Sequence, residues 1–518
     1  MSEPLPKLDA SRLPPPVDVS DNTAALAAVR AVVERGPYTD EWSSLSRYSP
    51  PRWYEDAKFG IFVHWGVYSV PAFRNEWYPR TMYQAGRPEF EHHGRTHGPQ
   101  SEFGYKDFIP SFTMGSFDPV EWAALFRRAG AQFVVPVAEH HDGFALYDTA
   151  RSRWSAARMG PGRDVFGDLL RAVDDAWMVR GASSHRAEHW FFMNPGTRFD
   201  SDVRDPRWQD LYGPAQRDET APSERFLEDW LLRCVEVVDR YRPQVFWFDW
   251  WIEQPAFEPY LRRFAAYFYN RAAEWGREVV INAKWGAFPA GSAVHDVERG
   301  TLRGTSATLW QNDTSVSRSS WCWVDSHDHK SADDLVAELA DVVAKNGVLL
   351  LNVGPTPEGT IAAPERALLE QLGDWLTRNG EAVYGTRPWR VHGEGPTRAA
   401  AGSFADGTAA GYTGADVRFT RRRDAVGDYV YAILLAEPDG GTARVRAFGA
   451  DSALLEQEVR EVGVLGVDGP VEWRREPAEL VVRLPARPAG AGGPVVKVFL
   501  EPDRAEDRWD PLHGPSPA

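Results

Sequence analysis

A carboxylate that closes an apolar strand between aromatic rings is placed to attack an electron-poor carbon, and Asp249 in VFWFDWW has that setting. An isolated Asp at such a position equally suits the cap of the next helix. Its company argues for chemistry. The segment VVPVAEHHDGF ends in His140, His141 and Asp142, and adjacent imidazoles before an Asp-Gly turn suit either a metal or the hydroxyls of a ligand. A metal would draw further ligands from His64, His185, His189 or Asp249. Trp65, Trp77, Trp190, Trp247, Trp250, Trp251 and Trp285 stand beside these polar groups, and aromatic faces next to neutral imidazoles fit a sugar better than an ion. Cleaving a glycosidic bond needs a second carboxyl group to protonate the departing oxygen. Glu76 in RNEWYPR, Glu188 in SSHRAEHW, and Asp296 and Glu298 in HDVERG are the candidates, with Glu298, in a Gly-flanked loop, placed best.

These groups need a scaffold that brings distant segments to one face. Between Trp53 and Trp389, apolar strands alternate with amphipathic helices, the pattern of a parallel sheet with crossover helices. Strands are expected near 59–65, 131–141, 180–185, 243–250, 278–285, 308–312 and 348–354, with helices at 118–130, 224–242 and 332–347 among those between them. Seven or eight such units without a GxGxxG turn predict a (β/α)₈-like barrel over residues 45–390. The strands stay apolar until their last residues and then turn polar, as at the C-terminal rim where barrels carry their sites. Short alternating strands separated by Gly, Asp and Pro follow, predicting an antiparallel β-sandwich at 391–502. Residues 1–44 read as a leader lying on the surface or against the barrel, and 503–518 as a disordered tail.

Composition narrows the function classes. With 58 Lys and Arg against 74 Asp and Glu, the net charge of −16 would repel a phosphate backbone, so no nucleic-acid partner is expected. Two cysteines exclude a disulfide framework, though not a single bridge. The start has neither a basic stretch nor an apolar one, and no long apolar run follows, so a cytoplasmic chain with no membrane partner is expected. The 22 Trp, 17 Tyr and 26 Phe exceed what core packing needs and again suit a sugar site.

Read together, KFGIFVHWGVYSVPAFRNEWYPRTMY, HHDGFALYDTARSRW, GRDVFGDLLRA, FWFDW, HDVERG and AKNGVLLLNVGPTPEGTIAAPERALLEQLGDWLTRNGEAVYGTRPW resemble family 29 of the glycoside hydrolases, the α-L-fucosidases, over residues 45 to 390. The resemblance implies a retaining exo-glycosidase on a barrel followed by a β-sandwich, acting on a small fucosylated oligosaccharide or glycoside, with no cofactor and no metal. It implies Asp249 as nucleophile and Glu298 as acid/base, with Glu76 in reserve for that role. His64, Trp65, Glu76, Trp77, His140, His141, His185, Trp247 and Lys284 are then expected to bind substrate, and Phe62, Trp65, Trp247 and Phe248 are candidates for the wall against the fucose methyl group. Three departures stand out. Glu139 replaces the family's usual Lys before the paired histidines, GASSHRAEHW replaces its GxYYS so that His185, with Glu188 and His189, takes that corner, and Lys284 replaces a common Arg. Two rival readings are a metal-dependent hydrolase built on His140 and His141, and a barrel that binds sugar without cleaving it.

Overall fold

The computed structural model describes residues 4–160, 162–284, 286–398, 400–406, 411–424, 427–486, 490–500, 509–510 and 514–515. Eight parallel strands close a barrel in chain order: β1 (Phe59–Val63), β2 (Phe133–Glu139), β3 (Val179–Ser184), β4 (Val245–Phe248), β5 (Val280–Ala283), β6 (Val294–Asp296), β7 (Trp310–Ser315) and β8 (Gly347–Val353), which pairs back onto β1. Helices cross over between most of them, among them Pro119–Arg128, Glu224–Tyr241 and Ala332–Ala344. Their starts are written in the chain. Asp118 accepts from the N–H groups of Val120 and Glu121 ahead of Pro119, and Ser223 accepts from Phe226 N–H.

Strand alternation divides the apolar residues into two cores. Phe62, Phe133, Val135, Val137, Val245, Trp247, Val280, Val348 and Leu350 fill the barrel, whereas Ile61, Val63, Phe246 and Phe248 pack outward against helices. Close packing inside demands a glycine at one point. A Cβ on Gly60 would lie 2.4 Å from the Phe133 ring.

Two strands differ from the sequence reading. β6, three residues long with His295 exposed, falls inside the segment read as a loop, because so short an element carries no visible alternation. β7 runs on to Ser315 rather than ending at Asn312, which carries Asp313 to the rim.

β9 (Arg387–Glu394), β10 (Val417–Arg423), β11 (Asp428–Leu434), β12 (Thr442–Val445), β13 (Val459–Val464), β14 (Trp473–Arg475), β15 (Leu480–Arg483) and β16 (Val495–Leu500) build the C-terminal unit. They form a five-stranded sheet, β13-β16-β11-β10-β9, facing a three-stranded sheet, β12-β15-β14. Phe419, Val430, Ala432, Val445, Phe448, Leu480 and Val482 form the core between them. β9 begins at Arg387, so this unit takes up chain the sequence reading gave to the barrel. The two units are keyed together, since Arg418 on β10 donates to Asp341 on helix Ala332–Ala344 at 2.5 Å and Trp375 donates to Gly493 O.

The leader lies against the barrel. Its helix Thr23–Arg35 packs on helices Glu224–Tyr241 and Glu258–Trp275. Cys234 and Cys322 are both buried and free, so the single bridge left open by the sequence is not formed. Among the described residues no helix is long and apolar enough to cross a membrane. Of the tail after residue 502, only the short paired segments 509–510 and 514–515 are described; the rest of that expectation lies outside the described residues.

Candidate active site

The polar strand ends converge at one mouth of the barrel on a cavity of about 400 Å³, lined by His64, Asn75, Glu76, Trp77, His140, His141, His185, Trp247, Asp249, Trp250, Lys284, Glu298, Asp313, Trp321 and Phe404. Strand alternation selects these side chains. On β1 and just after it, Phe62 and His64 point inward and Trp65 outward; on β4, Trp247 and Asp249 point inward and Phe248 outward.

Asp249 follows β4 directly. Its Oδ2 accepts from His185 Nδ1 at 2.9 Å, and its Oδ1 accepts from Lys284 Nζ at 3.1 Å and from Trp250 N–H at 2.8 Å. The His185 tautomer follows from its other contact, because the Ser183 hydroxyl lies 3.0 Å from Nε2 and can donate there while Nδ1–H faces the carboxylate. Burial alone would favour the neutral acid, but the Lys284 ammonium and the His185 N–H outweigh it and hold the Asp249 carboxyl well below its ordinary range.

Lys284, at the end of β5, also donates to Glu298 Oε2 at 2.7 Å and lies 3.6 Å from Asp313 Oδ2 and 4.6 Å from the Trp247 ring centre. Burial opposes its charge, yet Asp249, Asp313 and Glu298 raise the ammonium well above its usual value. One nitrogen thus joins the two leading carboxylates. With bonds of 3.1 and 2.7 Å to that nitrogen, the two bonded oxygens, Asp249 Oδ1 and Glu298 Oε2, stand at most about 5.8 Å apart.

Glu298 sits two residues beyond β6 on a loop pinned from both sides. Val297 and Arg299 donate their N–H groups to Gln311 O and Asp313 O on β7, and Phe404 N–H donates to Glu298 O at 2.8 Å. The Arg299 guanidinium donates to Ser317 O and Ser320 O and lies 4.5 Å from the Trp321 ring centre. Burial raises the Glu298 carboxyl above the ordinary glutamate value, and the nearby Asp249 charge adds to this against the pull of Lys284. Two carboxyl groups therefore occupy one cavity with their protonation tendencies pushed apart, as an acid and a nucleophile require.

The imidazoles are held neutral. Burial pushes His64 and His140 well below the ordinary histidine value, His141 down to about 3, and His185 lower as well. His64 Nδ1 meets Asn352 Oδ1 at 2.8 Å and His141 Nδ1 meets His185 O at 2.9 Å, while His140 Nδ1 has no hydrogen-bond partner among the described residues. The turn that presents the pair needs Gly143, whose φ is +80° and where a Cβ would lie 2.6 Å from the His189 ring. Neutral rings with free nitrogens can each donate to or accept from a hydroxyl.

His64, His140 and His185, and separately His141, His185 and Asp249, have ligand atoms close enough to share an ion. Both nitrogens of His185 are already engaged, and the Lys284 ammonium, 3.1 Å from Asp249, already supplies the positive charge a cation would bring there. The donor set fits hydroxyl recognition better than metal binding.

Of the residues expected to act as catalytic groups or to bind substrate, all but one line this cavity. The exception is Trp65, only 3% exposed, which packs against Phe112, Phe117 and Trp122 and donates to Thr356 O outside the cavity. Phe62 lies beneath His64 and Trp247, and Phe248 packs on Trp230 and Phe264, so of the four methyl-wall candidates only Trp247 lines the cavity. Glu76 lines it and accepts from Trp321 N–H at 3.0 Å. Glu188 lies under His141 at 3.4 Å, and His189 ties to His141 O at 2.8 Å, so both support the corner from behind. Asp296 is likewise behind the wall, receiving Trp247 Nε1 at 3.1 Å. Trp285 lies outside the described residues. The lining residues not foreseen are Asn75, Asp313, Trp321 and Phe404. Asp313 was one residue beyond an expected strand end, and the others sit on loops without a periodic signal.

Comparison with known proteins agrees with this geometry. The model of the Alpha-L-fucosidase family matches residues 25–381. The tissue alpha-L-fucosidase of Homo sapiens is 29% identical over 475 residues, covering 90% of this chain and 92% of that protein; that of Macaca fascicularis is 30% identical with the same coverage. The Thermotoga maritima alpha-fucosidase in complex with fucose superposes with a TM-score of 0.69 at 28% identity, covering 89% of this chain and all of the other. The closed barrel, the C-terminal antiparallel sheets, the paired carboxyl groups and a match over more than half the chain lead to one conclusion: this chain belongs to the alpha-L-fucosidase family.

Proposed function

We propose that this α-L-fucosidase hydrolyses its substrate with retention of configuration, using Asp249 as nucleophile and Glu298 as acid/base. The observation that carries the assignment is the shared Lys284 nitrogen, which holds the two oxygens within about 5.8 Å. Retaining pairs stand roughly 5 to 5.5 Å apart, and inverting pairs roughly 6.5 to 9.5 Å, to make room for a water. Asp249 attacks the anomeric carbon as Glu298 protonates the glycosidic oxygen, giving a covalent fucosyl ester. The ionised Glu298 then takes a proton from water, which attacks the same carbon and frees Asp249.

The remaining lining groups divide the sugar between them. His64, Glu76, Trp77, His140 and His141 meet hydroxyls, His185 orients the Asp249 carboxylate from the edge of the cavity, and the Trp247 face meets the apolar side of the ring. Lys284 also stabilises whichever carboxylate is charged, Asp249 before attack and Glu298 after it. The Glu76 alternative for the acid lacks this link to the nucleophile. The substrate we infer is a small fucosylated oligosaccharide or glycoside.

The test is a panel of nitrophenyl glycosides with NMR observation of the first-formed sugar, with and without a chelator. Release from the α-L-fucoside alone, α-fucose as first product and indifference to chelator are expected. First-formed β-fucose would refute retention, and loss of activity on chelation would restore the metal reading.

A further inference from the structure

The second domain also contributes to the wall of the cavity. The chain linking β9 to β10 places Phe404 on the cavity wall, and its backbone is bound to the loop that carries Glu298: Gly402 N–H donates to Thr301 O at 2.8 Å, Phe404 N–H to Glu298 O at 2.8 Å and Ala405 N–H to Arg299 O at 2.8 Å. Asp406 adds a side-chain anchor, meeting Lys330 Nζ at 2.9 Å and Arg299 Nη1 at 3.5 Å.

Phe404 has two further unusual properties. Its φ is +58°, a conformation that non-glycine residues rarely adopt and that persists only where the surroundings enforce it. The residue is 59% exposed, one of only three large apolar residues so exposed among the described residues. Val120 and Trp177, the other two, do not line the cavity. A ring held out in water by a tied and strained backbone gains nothing for the core.

Position indicates what it faces. The proton from Glu298 goes to the glycosidic oxygen, so the group attached to that oxygen must lie on the Glu298 side of the cavity, away from the fucose-facing histidines. We propose that Phe404 is a specificity-determining residue for the leaving group, its ring forming a platform for the apolar face of a pyranose bonded to fucose. This rests on the assignment of Glu298 as the acid. The C-terminal domain then helps decide which fucosides are cleaved, while the barrel decides that fucose is removed.

The experiment compares kcat/KM for an α-L-fucosyl-galactose disaccharide and for methyl α-L-fucoside. Both leaving groups are alcohols that need protonation, and only the first has a ring to stack. Phe404→Ala should lower the disaccharide-to-methyl ratio by about tenfold, the size of one lost ring contact, and Phe404→Trp should restore it. An unchanged ratio would overturn the proposal, whether both rates fall together through displacement of Glu298 or neither falls. Glu298→Ala, made with Phe404 unchanged, slowing neither substrate would instead refute the acid assignment on which the proposal rests.

Discussion

Two buried charged clusters lie on either side of the segment that follows β3, where His185 touches one and Arg186 the other, and they have opposite designs. Behind it, Glu139 and Asp229 are saturated. Arg233 donates to Asp229 at 2.7 Å and to Glu139 at 3.0 Å, Arg186 donates to Asp229 at 2.9 Å and also to Glu139, and Arg151 donates to Asp229 at 2.9 Å. Although burial opposes its charge, the three guanidinium groups hold the Asp229 carboxyl far below its ordinary range. In front of it, a single ammonium serves Asp249, Glu298 and Asp313, and among the described residues neither Asp313 oxygen nor His140 Nδ1 has a hydrogen-bond partner. The first cluster sets three guanidinium groups against two carboxylates and so satisfies its acids fully, leaving one donor, Arg186 Nε, without a partner among the described residues. The second leaves buried polar groups unfinished, and unfinished groups are what a bound sugar and a moving proton can complete.

The largest expected break in this contrast comes from the open cluster. Glu298→Ala should slow a disaccharide substrate by about 10² to 10⁴-fold, slow an aryl fucoside with a good leaving group much less in the bond-breaking step, and regain turnover with azide. Equal slowing of all leaving groups would move the acid elsewhere, with Glu76 first in line. The closed cluster should respond differently. Arg233→Ala leaves both Glu139 and Asp229 short of a partner and should lower unfolding stability by about 3 to 5 kcal/mol, measured by urea titration, while the activity per folded molecule changes little. A large loss of activity without a loss of stability would mean that the rear cluster acts on the chemistry after all.

Part of this contrast was legible in the chain and part was not. Asp249, His140 and His141 announced themselves because each ends an otherwise apolar strand, which is where a barrel exposes its polar groups. Trp65 misled because type and neighbourhood suggested a sugar platform, whereas its place one residue after inward-facing His64 sends it to the opposite face. The same parity explains why Trp247 lines the cavity and Phe248 does not. Glu139 stood out only as a departure from a family pattern. Its partners Arg186 and Arg233, and the Asp229 that both of them share, lie on distant segments, so nothing in the sequence marks the network. Trp321 and Phe404 reach the cavity from loops, where no periodicity constrains the side chain, and Phe404 does so across a domain boundary.

The central claim is that Asp249 carries the fucosyl group between two displacements. Its most direct test is to treat the native enzyme with a 2-deoxy-2-fluoro-fucosyl donor bearing a good leaving group, digest the protein, and locate the added mass by tandem mass spectrometry. One fluorofucosyl unit is expected on the peptide containing Asp249, on the Asp249 carboxylate itself, with activity lost in step. A label on another carboxylate, or turnover of the donor to an inverted product with no label, would contradict it.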